Sequence, residues 1–170
     1  MNMEQLNYES YCGLYCGACD ILTAYKRGEE QHQPPQWNDL PEPIRQHIPP
    51  APIRCHGCKT DTVFQGCAKC PIRKCAKKKS GIESCLDCKK YPCLLHKIAK
   101  IVIAAQKLEK KLPHLKCKPA NLAVIREKGM RGWLEEQQRA WECPDCHANF
   151  SWYQTECSQC GKPLHASGAK

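Results

Sequence analysis

Sixteen cysteines stand among the 170 residues of the chain, and their spacing is that of ligands rather than of cross-links. Eight fall between positions 55 and 93: Cys55-His-Gly-Cys58, then Cys67-Ala-Lys-Cys70 with Cys75, then Cys85-Leu-Asp-Cys88 with Cys93. The last two triplets form a short internal repeat, each cysteine recurring 18 residues later. Two residues between cysteines let both sulfurs turn toward one ion while backbone amides donate to the thiolates, and the same gap suits a disulfide poorly. Near the start, Cys12, Cys16 and Cys19 follow a C-x-x-x-C-x-x-C pattern, with Gly13 and Gly17 letting the backbone fold closely around an ion. Near the end, Cys143-Pro-Asp-Cys146 and Cys157-Ser-Gln-Cys160 are two knuckles separated by ten residues rich in strand formers. That is the pattern of a zinc ribbon, in which two hairpins close one tetrahedral four-cysteine site. A redox dithiol needs only one C-x-x-C, so paired knuckles argue against it.

The twelve other cysteines permit more than one grouping. One partition gives Cys55, Cys58, Cys67 and Cys70 to a first ion and Cys75, Cys85, Cys88 and Cys93 to a second, leaving Cys12, Cys16 and Cys19 to be completed by Cys117. Another keeps each repeat triplet whole and completes it from elsewhere, as paired clusters in small ferredoxins exchange their fourth cysteine. C-x-x-C pairs favour zinc, which is the expectation here, whereas the close triplets and Cys70-Pro71 lean toward iron–sulfur clusters. Cys12, Cys16 and Cys19 also match the spacing of radical S-adenosylmethionine enzymes. The chain is too short for the usual barrel and shows no strand–helix alternation, which excludes that reading. Cys117, between Lys116 and Lys118, is read as a ligand or inert cysteine ahead of a thiol activated by two ammonium groups. His56 and His147 lie in or beside knuckles and are expected not to ligate, because neighbouring cysteines already supply each pair.

Composition agrees with a fold built on metal. Apolar residues make up 42%, but that includes the cysteines, and only two phenylalanines are present. Small domains with thin cores use structural ions, whose binding free energy becomes folding free energy. The net charge of +9 is uneven. Residues 1–66 carry five basic and eight acidic side chains, residues 67–118 fifteen and three, and residues 119–170 six and six. Four tetrathiolate sites would add about −8, so the lysines read first as counter-charges and second as a nucleic-acid face over 67–118. No membrane-spanning segment and no export signal is legible, which predicts a cytoplasmic protein whose thiols stay reduced.

The elements that must position these cysteines follow from periodicity. A short helix is expected from Cys19 to Gly28, and a proline-rich loop or linker over 29–54, with one helical turn around Pro43–His47 and Trp37 pinning it down. From Cys93 to Leu112, Leu94, Leu95, Ile98, Ile101, Val102, Ala105 and Leu108 share one face and predict a long helix packed on the core, stopped by Pro113. Pro119 opens a further helix that Gly129 ends, and another runs from Arg131 to Trp141. The expected fold is thus a small, mainly α, metal-stabilised domain with irregular cysteine-rich knuckles, plus a C-terminal β zinc ribbon. Its expected divisions are a multi-metal domain (1–118), a helical connector (119–142) and the ribbon (143–165).

Gly13-Leu-Tyr-Cys-Gly-Ala-Cys19, followed by Cys55-His-Gly-Cys58, a further cysteine run and Tyr91-Pro-Cys93, resembles the hallmark of a family of cysteine-rich proteins of unknown function, frequent in anaerobic bacteria and archaea. The resemblance spans roughly residues 10–135 and implies metal binding at these cysteines without implying an activity. The proline-rich segment Gln31–Pro52 departs from the helical stretch of that family, and Cys146-His147 departs from the Cys-Gly usual in ribbons. No catalytic triad, phosphate loop or carboxylate pair is present, so the sequence reads as a metal-binding module for a protein partner, rather than an enzyme. Electron transfer or redox sensing by iron–sulfur clusters, and nucleic-acid binding, are the alternatives.

Overall fold

The computed structural model describes residues 6–164; residues 1–5 of the expected metal domain and residue 165 of the expected ribbon lie outside the described residues. The chain is mainly helical, as expected. It runs through α1 (Asp20–Glu30), α2 (Glu42–His47), α3 (Gln65–Ala68), α4 (Pro71–Lys77), α5 (Leu94–Ala105), α6 (Leu108–Lys111) and α7 (Lys118–Ala140). Short 3-10 turns at Cys16–Ala18, Cys85–Asp87 and Pro113–Cys117 carry cysteines. No described helix is long and apolar enough to cross a membrane.

Burial is divided among three small cores, and the stretch from Tyr11 to Leu22 contributes to all of them. Tyr11 packs with Ile72, Ala76 and Cys85. Tyr15 and Ala18 join Leu122, Ile125, Trp133 and Trp141, with Tyr15 edge-on to Trp133 at 6.0 Å. Ile21 and Leu22, on the inner face of α1, meet Leu40, Ile44, Phe64 and Leu112. The buried Asn121 side chain donates to the Gly13 carbonyl at 2.7 Å, fixing α7 against the same stretch.

Several expectations hold and several are corrected. The turn at Pro43–His47 is α2, and Trp37 stacks on Phe64 at 6.3 Å, holding the proline-rich loop down. Helix α1 does not stop at Gly28 but continues to Glu30. Gly28 instead admits the returning loop, since a Cβ there would lie 2.6 Å from Pro35 Cδ. In α7 the helix opens at Pro119 and breaks at Gly129 (φ 73, ψ 173), giving the two segments the sequence predicts.

The single helix predicted over Cys93–Leu112 is two, because Lys107 takes a left-handed conformation (φ 53) between α5 and α6. This turn carries Leu112 into a core and leaves α5 anchored mainly through Leu95 and Ala99. The rest of its apolar face is not packed: Leu94 is 71% exposed and Ile101 67%.

The β ribbon is also corrected, since no strand occurs among the described residues. Each knuckle closes on one isolated antiparallel bridge, Glu142 with Asn149 and Glu156 with Pro163. The strand formers between them are drawn into tertiary contacts instead, a case of packing overriding propensity. Trp152 N–H donates to the Ala18 carbonyl at 2.9 Å, and its ring stacks on His114 at 3.9 Å.

Candidate metal centre

The two C-terminal knuckles are structural copies. Cys143 and Cys157 each donate their N–H to the carbonyl five residues on, in Ala148 and Lys162, and each accepts from the residue after the second cysteine, His147 and Gly161. Both of those residues are left-handed, at φ 58 and 74, so His147 occupies the glycine position of the repeat and does not point to a ligand role. Phe150 and Leu164 anchor the copies in the core that holds Trp133. The sulfurs meet across the copies, Cys143 with Cys160 at 3.6 Å and Cys146 with Cys157 at 3.5 Å. Zinc–sulfur bonds of about 2.3 Å at tetrahedral angles put sulfurs about 3.8 Å apart, so the quartet can hold a metal ion with little movement. Backbone N–H groups of Cys160 and Gln159 pull the Cys157 thiol down, while Cys146 and Cys160, hydrogen-bonded to their neighbouring sulfurs, are raised. Among the described residues, this is the one group of three or more such side chains whose ligand atoms all lie within 4.8 Å of one another.

The structure ties the knuckle pair to α1. Ser151, between the copies, donates to the buried Asp20 carboxylate at 2.6 Å, and burial raises that carboxyl to about 6. Its second oxygen, Oδ2, has no hydrogen-bond partner. Ser151→Ala would remove the hydroxyl donor from this buried carboxylate and is expected to cost about 2 kcal/mol, read as a lower urea midpoint of the metal-loaded protein. An unchanged midpoint would show that the contact is not formed in solution.

In the body, N-terminal and central cysteines interleave. Cys16 lies beside Cys58, Cys19 and Cys55; burial foremost, and then the charge of these neighbours, pushes its thiol well up. Cys19 lies beside Cys67 and Cys55 and is raised by the same causes. Cys58 is raised to about 12 by burial and by Cys12 and Cys70, and Cys67 to about 12 by burial and by Cys55, Cys58 and Cys70. Cys55, Cys58, Cys67 and Cys70 are thus neighbours of one another and also of the N-terminal cysteines. Cys12, Cys16 and Cys19 are inserted among them, and the backbone cradles the sulfurs reciprocally: Cys58 N–H reaches Cys16, and Tyr11 N–H reaches Cys58. Cys75, Cys85, Cys88 and Cys93 line one pocket, with Cys12 also beside Cys85. All sixteen cysteines are free of disulfides.

Two side chains without a sequence signal support this arrangement. The buried Arg73 guanidinium donates to the carbonyls of Cys58 and Thr60, both at 2.7 Å, clamping the Cys55–Cys58 knuckle to α4. Arg73→Met is expected to cost about 3 kcal/mol, seen as a drop in the unfolding midpoint, because two carbonyls lose charged donors. Full retention of stability would refute the clamp. Lys79 places Nζ 3.1 Å from Cys88 Sγ, one instance of a lysine set against a cysteine sulfur. Cys117 reverses its alternative reading as a reactive thiol: burial outweighs the nearby lysine and raises it to about 11, and Sγ donates to the His114 carbonyl at 2.8 Å. His56 is engaged with the Tyr25 hydroxyl at 3.1 Å.

Fold and site together define a small helical, cysteine-rich protein with a C-terminal quartet able to hold a metal ion. The chain belongs to the family described as "Protein of unknown function (DUF3795)", which matches residues 8–98. The match takes in the three N-terminal cysteines and the whole repeat, and ends within α5. No curated protein and no solved structure matches the chain.

Proposed function

We propose that the chain is a zinc-built binding module. The observation that carries this is the sulfur geometry of Cys143, Cys146, Cys157 and Cys160, whose cross-copy separations of 3.5 and 3.6 Å fit a tetrahedral thiolate site. Four protein ligands leave no open position for a substrate, so the ion acts as architecture rather than as a catalyst. The surface left for a partner is the unpacked face of α5, where Leu94, Ile98, Ile101 and Val102 are exposed and lysines flank the stripe. A protein surface pairing apolar side chains with carboxylates complements it.

The test is metal analysis of the full-length protein together with cobalt substitution. One ion per chain with the absorption of tetrahedral cobalt–thiolate, displaced by zinc and absent from Cys146→Ser, supports the reading. A natively folded chain without a tightly held ion at this quartet overturns it. Retention of a labelled oligonucleotide with steep salt dependence would assign the lysine face to nucleic acid instead.

A further inference from the structure

A second kind of site lies 50 residues and more before the quartet in the chain. Cys75 comes from α4, Cys85 and Cys88 from the 3-10 turn and its end, and Cys93 from the cap of α5. Three separate elements thus converge on one pocket, walled by Ile72, Ile82, Tyr91 and Leu95. The cavity they enclose is small, about 20 Å³, and opens to solvent, so its lining of four cysteines and apolar side chains, rather than its room, is what marks it. A zinc ion would draw four sulfurs to edges of about 3.8 Å. No three of these sulfurs lie within 4.8 Å of one another, in contrast to the C-terminal quartet. A [4Fe–4S] cluster makes the opposite demand: each cysteine binds a different iron, the sulfurs stand apart around the inorganic core, and apolar walls limit the access of water to it.

Two further observations point into the same pocket. His96 lines it, edge-on to Tyr91 at 4.9 Å, and its Nε2 is buried with no hydrogen-bond partner. An unpartnered buried ring nitrogen is costly, and in its N–H tautomer it could donate to a sulfur held in this pocket. Lys79 reaches the Cys88 sulfur from the rim, and the Lys90 N–H also points at that sulfur. Hydrogen bonds and positive charge at cysteine sulfurs are among the means by which proteins set cluster potentials. We propose that Cys75, Cys85, Cys88 and Cys93 hold an iron–sulfur cluster, with His96 donating to it and Lys79 balancing the Cys88 thiolate. This site stands independently of the zinc reading of the C-terminal quartet, and the two are separable by measuring different elements.

Full-length protein purified without oxygen, and a portion reconstituted with ferrous iron and sulfide, should be brown and should contain iron and acid-labile sulfide in comparable amounts. The double variant Cys85→Ser/Cys93→Ser should lose one cluster's iron and sulfide while keeping one zinc per chain and native tryptophan emission. Full iron and sulfide in that variant, or a colourless wild-type protein with more than one zinc per chain, overturns the proposal. If the double variant loses its native emission, Lys79→Ala decides. It removes a positive charge beside a ligand sulfur, so a lower midpoint potential in a dithionite titration supports the site, and an unchanged potential with an unchanged paramagnetic spectrum overturns it.

Discussion

Cys157→Ser, or extraction of the C-terminal ion by a strong chelator, is expected to abolish the cooperative unfolding transition and to shift tryptophan emission to the red. The reason is placement. Cys143 is fully buried and Cys157 nearly so, and both belong to the core that contains Tyr15, Trp133 and Trp141. With single bridges in place of strands, little backbone hydrogen bonding remains to hold the knuckles together once the sulfurs are released. Structural zinc binding is worth roughly 10–16 kcal/mol in small knuckles, as much as the entire stability of an ordinary domain, about 5–15 kcal/mol. Nothing else in the C-terminal segment offsets a loss of that size. A metal-free protein with unchanged emission and an unchanged melting temperature would refute the dependence.

The second large effect belongs to Gly57→Ala. Gly57 sits at φ 118, where a side chain is strained whatever the space, and an added Cβ would fall on the Asn7 carbonyl. That carbonyl belongs to the strip that runs antiparallel to the knuckle, with Asn7 N–H donating to the His56 carbonyl at 2.7 Å. The alanine must therefore lift the N-terminal strip away, and with it the contact of Cys16 and Cys12 with Cys58. A cost on the order of 3 kcal/mol or more is expected. Serial denaturant titration should show the lower midpoint, and metal content of the body cysteines should fall with it. Gly66→Ala, on exposed α3, is the comparison with the smaller expected effect: its backbone is helical, and an added Cβ meets only Phe64 ring atoms, at 3.2 Å, rather than backbone. Equal stability of the two variants would show that the strip does not dock as described.

What was legible in the sequence was local. The knuckles at Cys143–Cys146 and Cys157–Cys160, the helix starts at Pro43 and Pro119, and the break at Gly129 follow from two-residue gaps and from the fixed φ of proline and freedom of glycine. The interleaving of Cys12, Cys16 and Cys19 with Cys55, Cys58, Cys67 and Cys70 was not legible, because it depends on which distant segments dock, and no spacing rule encodes that. The apolar stripe of α5 misled for a related reason: periodicity says that one face is apolar, while only the turn at Lys107 decides whether that face meets a core. His96, Lys79 and Arg73 carried no signal at all, since a lone histidine or a lysine in a basic run looks the same whether or not it faces sulfur.

The contact between Ser151 and Asp20 joins distant parts of the chain through a short path. Asp20 follows Cys19 directly, at the start of α1, while Ser151 lies midway between the two C-terminal copies. Were metal held on both sides, ordering at either end would bear on the other through this contact, and any coupling of the two affinities would be reciprocal. The dissociation constant read on each side with a competing chelator should then depend on whether the other side is occupied.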